Sequence, residues 1–68
     1  MSFAEIRKAR HYTQKRLAES IGVRQSTVAM WETKRSYPCM KHLLALSDLL
    51  EVSLDTLYRS LRETIESA

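Results

Sequence analysis

Apolar residues return every three or four positions along the chain, the spacing of one face of an α-helix. Phe3 and Ile6 open the first such face, Leu17, Ala18 and Ile21 form a second, and Val28 and Trp31 mark a third. Leu43, Leu46, Leu49 and Leu50 make a fourth, after Pro38, over residues of about 40–50. Leu54, Leu57, Tyr58, Leu61 and Ile65 mark the buried side of a fifth over about 54–65, with Leu54 expected in the core. Polar residues signpost the starts. Ser2 with Glu5 has the S-x-x-E spacing of a capping box, and Thr13 and Ser53 are good caps for the second and fifth helices. Tyr12 with Leu17, Val23 with Val28 and Val52 with Leu57 each place an apolar residue just before a cap and a second five positions later, the spacing of a hydrophobic staple. Gly22 and Pro38 are the only Gly and Pro, too little punctuation for strands and tight turns. The pattern predicts five short helices in a compact all-α domain.

Length narrows what such a domain can do. The 68 residues make one domain, residues 1–68, and a chain of this size buries only about 60% of its unfolded surface, which leaves little wall for an active-site cleft. With 44% hydrophobic and 28% charged residues it is too apolar for a disordered segment. The longest uncharged apolar run, Leu43 to Ser47, is far short of the roughly 18 residues of a membrane span. With no signal-peptide core either, a cytoplasmic location is expected. The single Cys forms no intramolecular disulfide.

Charge is uneven. Residues 1 to 35 hold eight basic residues against three acidic ones, a net +5, whereas residues 36 to 68 hold three against five, a net −2. The modest overall +3 conceals a basic first half suited to a polyanion, with a solvated basic surface as the plainer alternative.

The stretch Thr13 to Thr33, TQKRLAESIGVRQSTVAMWET, gives that half a structure. Two helices of about eight residues meet at Gly22, the residue suited to a turn of positive φ. Ala18 is small where the second helix must approach the first. Leu17, Ile21, Val23, Val28 and Trp31 can lock the pair at a fixed angle, the helix-turn-helix layout over residues 14–33. Arg7, Thr13-Gln14, Leu17-Ala18, Gly22-Val23, Trp31-Glu32, Pro38 and Val52-Ser53-Leu54-Asp55 stand together in register. In these elements the chain, from Phe3 to Tyr58, resembles the DNA-binding domain of the phage repressor and Cro family, also called the XRE family. Three positions depart from it. His11 and Glu51 stand where Gly is common at a helix end, each costing on the order of 1 kcal/mol if left-handed. Arg24 replaces a Ser or Thr cap, weakening that start by about 1 kcal/mol.

The resemblance implies a five-helix lambda-repressor-like fold and a sequence-specific regulator of transcription, a repressor that occupies a palindromic operator as a dimer. The recognition helix would lie in the major groove with Gln25, Ser26, Thr27, Ala29 and Met30 toward the bases. Gln25 leads, since a Gln amide can bond adenine N6 and N7 together. Met30 fits a partly exposed surface residue nearly as well. Gln14, at a helix start with free N–H groups, would hold a phosphate. Arg7, Arg16, Arg24, Lys34 and Arg35 join it as phosphate candidates, with Lys15 weaker. Arg7 and Glu32 are expected to form a structural ion pair between the first and third helices.

One recognition helix covers few base pairs, so a two-fold dimer on half-sites ~34 Å apart is expected. Tyr58, Leu61 and Ile65 are the candidate dimer contacts, although packing within the domain explains Tyr58 and Leu61 as well. Trp31 fits the core better than a base-stacking platform. Cys39 and His42 at i, i+3 spacing supply two ligands, short of the four a zinc site takes, so neither a metal nor a cofactor is expected. No nucleophile triad, phosphate loop or spaced carboxylate pair supports an enzyme, and no small-molecule ligand suggests itself. Double-stranded DNA and a second copy are the expected partners. The alternative is a protein-interaction module, such as the antitoxin of a toxin-antitoxin pair, its acidic half free for a basic partner.

Overall fold

A computed structural model of the chain describes residues 1–66, with side chains as far as Arg62. Its elements are α1 (Phe3–Ala9), α2 (Gln14–Ile21), α3 (Gln25–Glu32), α4 (Met40–Leu50) and α5 (Leu54–Glu66), with no strand among the described residues.

The helix starts follow local chemistry. At α1 the Ser2 hydroxyl accepts from the Glu5 N–H at 3.2 Å, and the Glu5 carboxylate accepts from the Ser2 N–H at 2.7 Å, a complete capping box. Thr13 caps α2 by accepting from the Arg16 N–H at 3.0 Å, and Ser53 caps α5 from the Thr56 N–H at 3.1 Å. α3 and α4 begin on Arg24 and Cys39 without a side-chain cap.

Among the described residues, four turn left-handed between elements. Gly22 has φ 87°, and a Cβ built there would meet nothing within 4 Å. Glycine is therefore suited by backbone conformation and not by crowding. His11 (φ 65°) and Glu51 (φ 56°) adopt the same region, and so does Lys34 (φ 65°), which carries no glycine-like signal. At Glu51 there is compensation, because Arg10, just after α1, donates from Nε to the Leu50 carbonyl at 2.9 Å and occupies an acceptor that the end of α4 would leave free.

The core gathers Phe3 and Ile6 of α1, Leu17 and Ala18 of α2, Val28 and Trp31 of α3, Leu46 and Leu50 of α4, and Leu57 and Leu61 of α5. Phe3 meets the edge of Trp31 at 6.4 Å between centroids. The three staple residues Tyr12, Val23 and Val52 are half-buried against this cluster, so each fixes the angle at which the chain enters its helix.

α5 departs from the expected pattern. Its buried stripe is Leu57, Ser60 and Leu61, which turns Leu54 and Tyr58 onto the flank, 40% and 49% exposed. Leu54 is therefore not a core residue. Leu61, 1% exposed, belongs wholly to the core and is withdrawn as a dimer contact. Ser60 is tolerated inside because its hydroxyl donates to the Leu57 carbonyl at 2.6 Å. Ile65 lies outside the residues whose side chains are described.

Candidate nucleic-acid interface

The α2–α3 turn closes on a single acceptor. The Ala18 carbonyl receives the N–H groups of Gly22 at 2.8 Å and Val23 at 3.0 Å, and the Ala18 side chain is buried beneath the turn. With Leu17, Val28 and Trp31 buried under both helices, α3 lies rigidly across α2 and keeps its other face outward.

On that outer face Arg24, Gln25 and Ser26 are exposed, and Met30 follows one turn later at 38% exposure. Thr27 and Ala29 sit at the margins, half-buried. The expected reading residues thus share one helix, with three of them exposed and two recessed. A helix of eight residues is about 12 Å long, the right scale for entering one major groove.

The far end of α3 is tied down. Arg7, 7% exposed, donates from Nε to Glu32 Oε2 at 2.6 Å, from Nη2 to Glu32 Oε1 at 3.4 Å and from Nη1 to the Tyr12 carbonyl at 2.7 Å. This is the anticipated ion pair between α1 and α3, with both side chains about nine-tenths buried. Arg7 is also a phosphate candidate; three of its five N–H groups are used inside the fold. The Arg35 N–H closes α3 by donating to the Met30 carbonyl at 2.9 Å, and its side chain lies in the open beside the helix. Lys34 is different. Half-buried, it donates from Nζ to the Ser60 carbonyl of α5 at 3.4 Å, which leaves two of its three ammonium N–H groups for a phosphate. Arg16 and Lys15 are exposed on α2.

One arrangement was not foreseen. Gln14, at the start of α2, donates from Nε2 to Glu32 Oε1 at 2.9 Å, and its own carbonyl oxygen faces Nε2 of Gln25 at 3.5 Å. Arg7, Glu32, Gln14 and Gln25 form one continuous polar chain running from the interior to the exposed start of α3. Gln14 and Glu32 stand 18 apart in sequence, and only the angle of the helix pair brings them together.

Elsewhere, Cys39 and His42 meet at 3.6 Å between Sγ and Nδ1, and the His42 ring leans on Trp31 at 5.9 Å. Among the described residues no three His, Cys, Asp or Glu side chains come together as metal ligands, and no helix is long and apolar enough to cross a membrane.

A family model described as helix-turn-helix matches residues 3–57, from the start of α1 into α5. The chain belongs to the helix-turn-helix family. The resemblance to phage repressors noted from the motif agrees with one of its relatives, the cryptic phage CTXphi transcriptional repressor RstR of Vibrio cholerae serotype O1. It is 35% identical over 54 residues, covering 79% of this chain and 48% of that protein. The HTH-type transcriptional activator BcrR of Enterococcus faecalis is 32% identical over 53 residues, 78% of this chain and 26% of that protein. This helix-turn-helix chain therefore spans about half of one curated relative and about a quarter of the other. No solved structure matches it significantly.

Proposed function

We propose that residues 1–68 work as one DNA-binding domain of a transcriptional regulator, without enzymatic activity, reading a short site in double-stranded DNA. The observation that carries this reading is the contrast along α3: its far end is fixed by the Arg7–Glu32 pair while Gln25 and Ser26 are exposed at its start. A rigid helix with an open polar first turn is what groove recognition needs. Gln25 is the principal base reader, with Ser26 and Met30 beside it and Thr27 and Ala29 at the edges. The backbone N–H groups at the start of α2, at Gln14, and the side chains of Arg16, Arg24 and Arg35 flank the helix and hold phosphates, fixing its register.

The operator is roughly palindromic and two copies occupy it. Each chain offers one recognition helix, and successive major-groove faces lie ~34 Å apart, beyond the 31 Å longest dimension of one copy. Leu54 and Tyr58, exposed on α5, supply the contact between copies. Repression is the favoured sign, because occupying a promoter requires only the reading surface described above. A relative named as an activator shows that the sign is not set by the family alone. Such a regulator works in the cytoplasm, and the reading invokes no cofactor or small molecule.

Selection of bound duplexes from random sequence tests this. A short two-fold site is expected, with affinity falling steeply as salt rises because phosphate contacts release counterions. Failure to enrich any sequence at moderate salt overturns the proposal. Gln25→Ala is expected to relax one base position in each half-site, whereas Arg35→Ala weakens all sequences alike and flattens the salt slope by about 1.

A further inference from the structure

We infer that Glu32 is a positioning residue for base reading: acting through Gln14, it sets which way round the Gln25 amide faces the DNA. The inference rests on the DNA-reading proposal above and concerns how that reading gains its selectivity.

A carboxylate in its charged form only accepts hydrogen bonds. Glu32 therefore admits the NH₂ end of the Gln14 amide, found at 2.9 Å, and rejects its carbonyl end. Arg7 keeps the carboxylate in place from the other side at 2.6 Å, so Glu32 cannot turn away. With Nε2 of Gln14 committed inward, Oε1 of Gln14 faces out, and it meets Nε2 of Gln25 at 3.5 Å. That contact is long, and it gives the Gln25 amide a polarity. One N–H is directed to Gln14, leaving a second N–H and the carbonyl oxygen for the DNA.

Those two groups match adenine, which offers the N7 acceptor and the N6–H donor side by side. Guanine offers two acceptors, N7 and O6, which a Gln amide of this fixed polarity cannot satisfy together. Two amides facing each other with no fixed partner can flip as a pair, and the flipped Gln25 presents its donors and acceptor in the opposite order. Glu32 removes that freedom because it has no donor to offer. The ion pair thus has a second consequence besides holding α1 to α3, and the signal travels through Gln14 because Glu32 itself is only about one-tenth exposed.

The test uses the full chain and the site selected by the wild type. Gln25→Ala first identifies the base position that Gln25 reads, expected to be adenine. Four duplexes differing only there are then titrated with wild type, Glu32→Gln and Gln14→Leu, and circular dichroism confirms that each is folded. Wild type should prefer adenine over guanine by about tenfold, the discrimination of one good bidentate contact. Both variants should reduce that ratio to about twofold while preferences at the other positions stay as they are. Gln14→Leu leaves the Arg7–Glu32 pair intact, so its effect does not arise from a loosened fold. If Glu32→Gln leaves Arg7 too poorly compensated to fold, Arg7→Leu with Glu32→Gln, which buries no charge, replaces it and carries the same expectation. A folded variant that keeps the full preference overturns the inference, and so does an equal loss at every position, the outcome for a merely structural residue. A selected base other than adenine at the Gln25 position overturns it as well. A wild type that enriches no sequence overturns the DNA-reading proposal itself, and the inference with it.

Discussion

The starts of α1 and α3 are built in opposite ways. α1 begins inside a reciprocal capping box, with Ser2 and Glu5 each satisfying the other's backbone N–H. α3 begins on Arg24, whose side chain cannot accept a hydrogen bond, so the first N–H groups of the helix have no side-chain partner. α4 also lacks a side-chain cap, so a missing cap alone does not mark a helix that reads DNA. What sets α3 apart is the combination: an open polar first turn behind the cationic Arg24 at one end and a buried ion pair at the other. The difference teaches that this small domain stabilises α3 from the end that stays inside and leaves the exposed end without a side-chain cap.

Breaking the inner end should have the largest effect. Arg7→Ala leaves the Glu32 carboxylate about nine-tenths buried without its cation, and removing one partner of a buried pair costs roughly 3–5 kcal/mol. Marginal stability in a domain of this size means such a loss unfolds a large fraction of the molecules. Chemical denaturation should show a strongly lowered midpoint, and DNA binding should fall for all sequences together. If Arg7→Ala kept wild-type stability, α3 would have to be anchored by its apolar contacts alone, and the contrast between its two ends would lose its basis.

A middle-sized effect is expected from making the outer end resemble α1. Arg24→Ser supplies the missing cap and should stabilise the domain by about 1 kcal/mol. It should at the same time weaken binding to every duplex and lower the salt slope by about 1, because a phosphate contact is lost. Thermal melts read the first change and anisotropy at several salt concentrations reads the second. A variant both more stable and tighter binding would remove Arg24 from the phosphate set.

The same contrast explains which features were legible beforehand. Caps, staples and the Gly22 turn are written in residues a few positions apart, so Ser2 with Glu5, Thr13 and Ser53 could be placed directly, and the helix-turn-helix followed. The Arg7–Glu32 pair required the family resemblance, since nothing local joins residues 25 apart. The Glu32–Gln14–Gln25 chain gave no signal at all, because it depends on the angle between α2 and α3. On α5 the apolar spacing was misleading: a buried Ser60 that satisfies its own hydroxyl shifts the inner stripe, which exposes Leu54 and Tyr58. Lys34 was expected beside a phosphate from its place after α3, and nothing local announced that its ammonium also reaches the Ser60 carbonyl, 26 residues on.

The smallest effect belongs to the capped end itself and appears as a dependence on pH. The Ser2 backbone N–H, and next the Ser2 hydroxyl, hold the Glu5 carboxyl below its ordinary value of 4.5. A carboxyl whose folded value is depressed stabilises the native state at every pH above its unfolded value. That contribution disappears as pH falls through the folded value, since below it both states bind the proton. Wild type should therefore melt above Glu5→Ala at neutral pH, and the gap should narrow once the pH drops below 4.5. Glu5 is fully exposed, so the gap is small beside that of Arg7→Ala. DNA binding above that pH should be unchanged, because α1's start holds the fold and does not face the reading surface. A gap that stayed constant down to acid pH would mean that the helix propensity of Ala, and not the charged capping box, sets the difference at this end.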